Sequence, residues 1–178
     1  MLTRRELLKR SALLSGLISS GFLSHSSPEQ KVKDLQIGAC DWSIGKSSDI
    51  GAFEVAKQIG LKGIQVNLGS EQNELHLRQQ TRQEAYLAES KKTGVKIASL
   101  AIGELNKVPY KLEPHTEEWV WDAVDVASNL GVTVILLAFF SKNDLRNDEP
   151  GKKEVIRRLK MVAPKAEKMG ITLGIESY

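Results

Sequence analysis

The sequence Gly-Ile-Thr-Leu-Gly-Ile-Glu at residues 170–176 is an apolar run that follows a glycine and ends in a carboxylate. The same order, a helix-like stretch followed by a glycine and then an apolar run, occurs at Gly60, Gly94 and Gly131. Glycine is the residue that most often ends a helix, because it adopts the left-handed conformation without strain. The spacing of the four glycines therefore predicts a repeating unit of one strand and one helix.

Five apolar runs of this repeat are predicted strands, and one helix is predicted between each pair. The runs are continuously apolar, which is typical of strands buried on both faces. One helix between successive strands indicates a parallel sheet with right-handed crossovers. The predicted strands are Leu35–Trp42, Gly63–Leu68, Val95–Ile102, Val132–Phe140 and the run from Ile171, and the predicted helices lie near residues 50–59, 79–93, 116–130 and 152–169.

The residues by themselves leave two α/β architectures open. A doubly wound nucleotide-binding sheet carries a G-x-G-x-x-G fingerprint after its first strand, and residues 40–45, Cys-Asp-Trp-Ser-Ile-Gly, do not supply it. An eight-unit barrel requires roughly 250 residues, whereas this chain has 178. The alternatives are an open five-stranded sheet and a barrel represented by its first five units.

Composition excludes a strongly charged partner. The chain carries 25 basic and 22 acidic residues, and the first thirty residues hold four of the basic and two of the acidic ones. The remaining 21 basic and 20 acidic residues leave a net charge of +1, too small a field to favour nucleic acid or an anionic membrane. The single cysteine, Cys40, has no internal disulfide partner and is interpreted as a buried strand thiol.

The first thirty residues have the pattern of an export signal. Residues 3–9, Thr-Arg-Arg-Glu-Leu-Leu-Lys, resemble the twin-arginine motif, and the weakly apolar residues 11–23 are too short and too rich in serine and glycine for a membrane span. We therefore predict a signal peptide and spacer over residues 1–30 and a folded domain over 31–178. The expected partner is the twin-arginine export machinery, the expected location is the periplasm, and no stable membrane anchor is expected.

Several stretches, taken in order, resemble the xylose isomerase-like TIM barrel family, and within it the exported sugar phosphate isomerase/epimerase proteins. The resemblance implies a (β/α)8 TIM barrel truncated after the fifth strand. It also implies an isomerase or epimerase that moves a proton through an enediolate of a small sugar or sugar phosphate, inactive as this fragment. The stretches are residues 63–69 (GIQVNLG), 75–78 (LHLR), 97–106 (IASLAIGELN), 134–140 (VILLAFF), 144–146 (DLR), 162–167 (VAPKAE) and 173–176 (LGIE).

The resemblance also implies a divalent metal, Mn, Mg, Co or Zn, held by two acids, an aspartate and a histidine at the ends of the later strands. Such hard ions prefer oxygen ligands. Glu176 matches the first of these ligands, so it is predicted as a metal ligand and a catalytic carboxylate. The remaining ligands are expected beyond residue 178.

Four further residues are predicted to bind substrate, because they follow strands at the edge where barrels keep their active sites. Trp42 follows the first strand, His76 lies in the loop after the second, and Glu104 and Asn106 follow the third. Packing at the rim and ordinary loop polarity are the alternative interpretations. Gln65 stands on the second strand where many relatives carry an acid, which places a catalytic carboxylate there in doubt.

Two functions other than isomerase are alternatives for this sequence. A metal-dependent phosphodiesterase or endonuclease would use the same barrel, but the near-neutral charge argues against a nucleic-acid partner. A non-catalytic binding fragment would need another copy of the chain to cover its sheet edges, so a homo-oligomer is a possible assembly.

Overall fold

The computed structural model describes residues 35–178, and the predicted export signal lies outside the described residues. Residues Gln36–Tyr178 make up one folding unit. Within residues 35–178, no helix combines the length and the apolar character needed to cross a membrane.

The described residues form one parallel sheet whose strands follow each other in chain order. The strands are β1 (Gly38–Cys40), β2 (Gly63–Asn67), β3 (Lys96–Ile102), β4 (Val134–Phe139) and β5 (Thr172–Ser177), and each is hydrogen-bonded in parallel to the next. A doubly wound sheet reverses its strand order partway through the chain. The uninterrupted order β1-β2-β3-β4-β5 therefore favours the barrel over the nucleotide-binding architecture.

Four helices connect these strands within the described range, namely α1 (Ala52–Gln58), α2 (Gln80–Thr93), α3 (Thr116–Leu130) and α4 (Glu149–Lys168). The prediction for α3 is confirmed to the residue. The helix α4 begins three residues earlier than predicted, because the side chain of Asp148 accepts a hydrogen bond from the backbone N–H of Gly151 (2.9 Å) and Pro150 occupies the first turn. Capping by aspartate and a proline in the first turn are both favourable at a helix start.

The first strand is shorter than predicted. Only Gly38–Cys40 is extended, and the predicted end of the strand forms a 3₁₀ turn, Asp41–Ile44, that closes at Gly45 with φ of 71°. The turn redirects Asp41 and Trp42 out of the sheet and along its edge. This difference places both side chains in a loop, where the sequence pattern had them ending the strand.

The two faces of the sheet differ in polarity, in contrast to the uniform burial that the apolar runs predict. Ile64, Val66 and Leu100 are fully buried in the hydrophobic core, together with apolar residues of the helices. On the opposite face of β1, β2 and β3, the thiol of Cys40 contacts Oε1 of Gln65 (3.2 Å), and Nε2 of Gln65 donates to Oγ of Ser99 (2.8 Å). The amide of Gln65 thus joins three strands through side-chain contacts.

A buried cation fastens α3 to α4. The guanidinium of Arg158 is nearly inaccessible and pairs with Glu154 (2.6 Å) and Glu117 (3.2 Å), and it donates to the backbone carbonyl of Glu113 (2.8 Å). A buried charge is tolerated only when it is paired and hydrogen-bonded. Arg158 therefore contributes to the packing of α3 against α4.

Candidate active site at the carboxyl ends of the strands

A cavity of about 790 Å³ lies at the carboxyl ends of the strands. Residues at the end of every strand, or directly after it, line this cavity. The first and the fifth strand stand at opposite ends of the sheet order and still line one cavity, so the sheet curls around it. The lining includes Cys40 and Trp42 after β1, Asn67 of β2, Glu104 and Asn106 after β3, Ala138 and Phe140 at β4, and Glu176 of β5.

Glu176 is an exposed carboxylate on the cavity wall. It lies in register with Ala138 of the neighbouring strand. Burial raises the pKa of the Cys40 thiol, and the negative charge of Glu176 raises it further. A hydrogen bond with Ser43 opposes this shift only in part. The thiol of Cys40 is therefore neutral at physiological pH, and the carboxylate of Glu176 lines the same cavity.

Glu104 is held near the cavity by a 3₁₀ turn, Gly103–Asn106, that follows β3 directly. The residue is 7% exposed, and its carboxylate pairs with Nζ of Lys107 at 3.3 Å. Both residues line the cavity. Since Lys107 offsets the charge of Glu104, Glu176 carries the uncompensated charge among the lining residues.

Trp42 supplies an apolar wall. The 3₁₀ turn after β1 directs its indole to the cavity, where the side chain is 39% exposed. An aromatic ring that stays exposed in a polar cavity offers a flat surface to the C–H face of a sugar ring. Trp42 and Glu176 thus face the same space from opposite ends of the sheet.

His76 does not reach this cavity. Its side chain is 8% exposed, and Nε2 lies 3.1 Å from the hydroxyl of Tyr86 on α2. Burial lowers the pKa of His76, and the charge of Arg82 lowers it further, so the imidazole is neutral. The position gives no support to a direct substrate contact, and it indicates that His76 packs the β2–α2 loop against α2.

Three polar side chains, among them the predicted substrate residue Asn106, connect the strand ends through acceptor roles that sequence reasoning missed. Oδ2 of Asp41 accepts from the backbone N–H of Asn67 (2.9 Å), Oδ1 of Asn67 accepts from that of Gly103 (3.2 Å), and Oδ1 of Asn106 accepts from that of Phe140 (2.9 Å). These contacts join β1 to β2, β2 to β3 and β3 to β4 around the rim. The signal available in sequence was an Asp or Asn at or after the end of each of three strands, because these residues readily accept from backbone N–H groups.

Asp41 is the most buried member of this rim. It is 1% exposed, and Oδ2 also accepts from the backbone N–H of Ser48 at 3.1 Å. Burial raises the pKa of its carboxyl group, while the hydrogen bonds from Asn67 and Ser48 lower it and only partly offset the shift. The burial and hydrogen bonds of Asp41 support a role in packing the rim.

The described residues do not assemble a metal centre on their own. Among residues 35–178, no three His, Cys, Asp or Glu side chains come together in a group that would hold an ion. The carboxylates on the cavity wall are Glu104, which is paired with Lys107, and Glu176. A divalent ion such as Mg²⁺ takes about six oxygen ligands, and one free carboxylate does not fit that requirement.

A parallel sheet in sequential strand order, curled around a polar cavity at the carboxyl ends of its strands, defines a protein of the (β/α)-barrel class. Residues 53–178 match the family model of the xylose isomerase-like TIM barrels, and the chain belongs to that family.

Solved structures of similar fold agree with this assignment. A xylose isomerase-like TIM barrel protein from Mycobacterium smegmatis in complex with magnesium superposes with a TM-score of 0.62 at 16% identity, over 82% of this chain and 56% of that one. A xylose isomerase domain protein from Planctomyces limnophilus gives 0.60 at 18% identity, over 80% and 54%. D-psicose 3-epimerase with D-tagatose from Clostridium cellulolyticum H10 gives 0.60 at 12% identity, over 78% and 51%.

The described fold is thus shared with these proteins, whereas identities this low show the fold alone. The chain spans about half the length of the three structures. No curated protein sequence matches it.

Proposed function

We propose that the chain provides part of the active site of a sugar isomerase or epimerase, in which a proton moves between neighbouring carbons of a small sugar. The observation that carries the proposal is the convergence of Glu176, Trp42 and the Glu104–Lys107 pair on one cavity at the carboxyl ends of the strands. The family includes sugar epimerases, which supports this class of substrate.

The side chains of the cavity suit a neutral sugar. The indole of Trp42 offers an apolar face to the ring, and Glu104, Lys107 and Asn106 supply hydrogen-bonding groups for hydroxyls. Since Oδ1 of Asn106 is engaged by the N–H of Phe140, its amide nitrogen remains as a donor. The charged lining residues are two acids and one base, which favours a neutral substrate over a polyanionic nucleic acid.

Glu176 is the proposed proton acceptor, and also one ligand of a divalent ion such as Mn, Mg, Co or Zn. A general base needs an ionised carboxylate within reach of the substrate, and Glu176 is the cavity carboxylate without a cation beside it. One carboxylate binds such an ion weakly, so the further ligands have to come from outside residues 35–178.

Binding of Mn²⁺ and of a ketohexose to the full chain tests this proposal. We expect Mn²⁺ to broaden the NMR signals of Ala138 and Phe140 near Glu176, and D-fructose to shift the indole N–H signal of Trp42. Glu176→Gln should remove the broadening, while Glu149→Gln on α4, which does not line the cavity, should keep it. Equal broadening in wild type and Glu176→Gln, or an unchanged Trp42 signal at saturating D-fructose, would refute the proposal.

We also propose export of the protein by the twin-arginine pathway, on the basis of residues 3–9. Replacing Arg4 and Arg5 by lysine should abolish export, which cell fractionation measures. Undiminished periplasmic protein from the double variant would contradict this proposal.

A further inference from the structure

A second cavity of about 610 Å³ adjoins the candidate active site. Lys107 lines both cavities, and Glu71 of the second cavity lies between Ser70 and Gln72 of the first. Residues 70–72 and Lys107 thus form the divider between the two cavities. The second cavity is formed by the loops after β2, β3 and β4, and loops at this end of a barrel carry substrate contacts.

The floor of the second cavity is apolar. Leu112 is 64% exposed, and the half-buried Val108 lines the cavity beside it. Exposed aliphatic surface of this kind gains free energy when a bound ligand removes it from water. A flat patch of this kind suits the C–H face of a saturated ring.

The wall of the second cavity is charged but balanced. It carries Lys107 and Lys142 against Glu71 and Glu113. Within the described residues, the side chains of Lys142 and Glu113 have no hydrogen bond or ion pair, whereas Glu71 lies 3.4 Å from Nε2 of His115. Balanced charges do not favour an anion or a cation, and unpaired ammonium and carboxylate groups hydrogen-bond well to hydroxyls.

We propose that the second cavity is an outer subsite for the second sugar ring of a disaccharide or glycoside whose first ring occupies the candidate active site. This inference rests on the proposed function and adds the size of the substrate to it. The second ring packs on Leu112 and Val108, and its hydroxyls contact Lys142 and Glu113. Lys107, at the divider, lies beside the glycosidic linkage.

The test compares D-fructose with maltulose, a disaccharide of glucose and fructose, by calorimetric titration of the full chain. We expect maltulose to bind about tenfold more tightly. Leu112→Ser combined with Lys142→Ala should remove this advantage and leave the affinity for D-fructose within about twofold. Leu87→Ser on α2, an exposed leucine outside both cavities, is the control that should change neither affinity.

The outcomes separate the subsite from the proposed function. If D-fructose binds and maltulose binds no better, the subsite is refuted and the sugar site stands. If the double variant weakens both sugars equally, the subsite is also refuted, because its residues would then support the whole rim. If neither sugar binds, the proposed function fails and the subsite fails with it.

Discussion

Replacing Asp41 by alanine should destabilise the rim of the cavity. The carboxylate is buried, and it accepts hydrogen bonds from the backbone N–H groups of Asn67 (2.9 Å) and Ser48 (3.1 Å). Alanine would leave both donors without their acceptor. It would also release the turn that carries Trp42 from the end of β2.

The expected loss follows from these two contacts. A hydrogen bond to a charged group contributes about 1.5–3 kcal/mol, so two contribute roughly 3–6 kcal/mol. Burial of the carboxylate opposes this gain, as the raised pKa of Asp41 shows. We therefore expect Asp41→Ala to lower the free energy of unfolding by about 3 kcal/mol, near the lower end of that range. Asp41→Asn retains an acceptor oxygen and should cost about 1 kcal/mol.

The raised pKa of Asp41 also predicts how the stability difference between wild type and Asp41→Asn changes with pH. The pKa of Asp41 in the folded protein lies above its ordinary value of 3.8. Its contribution to stability is therefore complete below pH 3.8 and is lost as the pH rises through the folded pKa. Asparagine does not titrate, so the stability deficit of Asp41→Asn should be largest near pH 4 and smaller at pH 7.

Urea unfolding of the full chain, followed by circular dichroism, measures both effects. A loss below about 1 kcal/mol for Asp41→Ala would refute the structural role of the two contacts. A deficit of Asp41→Asn that grows from pH 4 to pH 7 would refute the direction of the pKa shift. The asparagine variant keeps the test valid if the alanine variant fails to fold.

Two further predictions concern the loop after β2. Gly69→Ala should lower the free energy of unfolding by about 3 kcal/mol in urea, because φ is 130° and a Cβ would lie 2.7 Å from the backbone N of His76. The control is Gly45→Ala, which has φ of 71° and open space around it and should cost about 1 kcal/mol. Equal losses for the two variants would contradict the clash at Gly69. Burial lowers the pKa of His76 below its ordinary value of 6.5. The contribution of His76 to stability is therefore complete above pH 6.5 and is lost as the pH falls below that value. Wild type should lose more stability than His76→Asn between pH 7 and pH 5, and parallel losses would count against the burial of a neutral imidazole.

Sequence patterns predicted the order of elements well, because that order depends on local signals. The helix α3 matches its predicted bounds, and the four glycines predicted to end helices, Gly60 among them, all have positive φ. The position of Glu176 near the end of β5 was also readable. Its assignment as metal ligand and base stays a prediction, since the remaining ligands are not among the described residues.

Contacts between residues distant in sequence could not be predicted from local sequence patterns. Nothing around His76 distinguishes a histidine that turns toward a cavity from one that packs on Tyr86, ten residues further along the chain. The same holds for Asp41, whose acceptor role depends on the N–H of Asn67, 26 residues away. Contacts of this kind depend on the path of loops, and the paths follow from packing between elements.

The sequence by itself determined a parallel α/β repeat with a carboxylate at the end of its fifth strand, because helix ends, apolar runs and strand ends are encoded by neighbouring residues. Only the tertiary structure decided that Trp42, Glu104 and Glu176 face one cavity and that His76 does not. The physical reason is the curl of the sheet, which accumulates over all five strands and brings together side chains separated by more than a hundred residues.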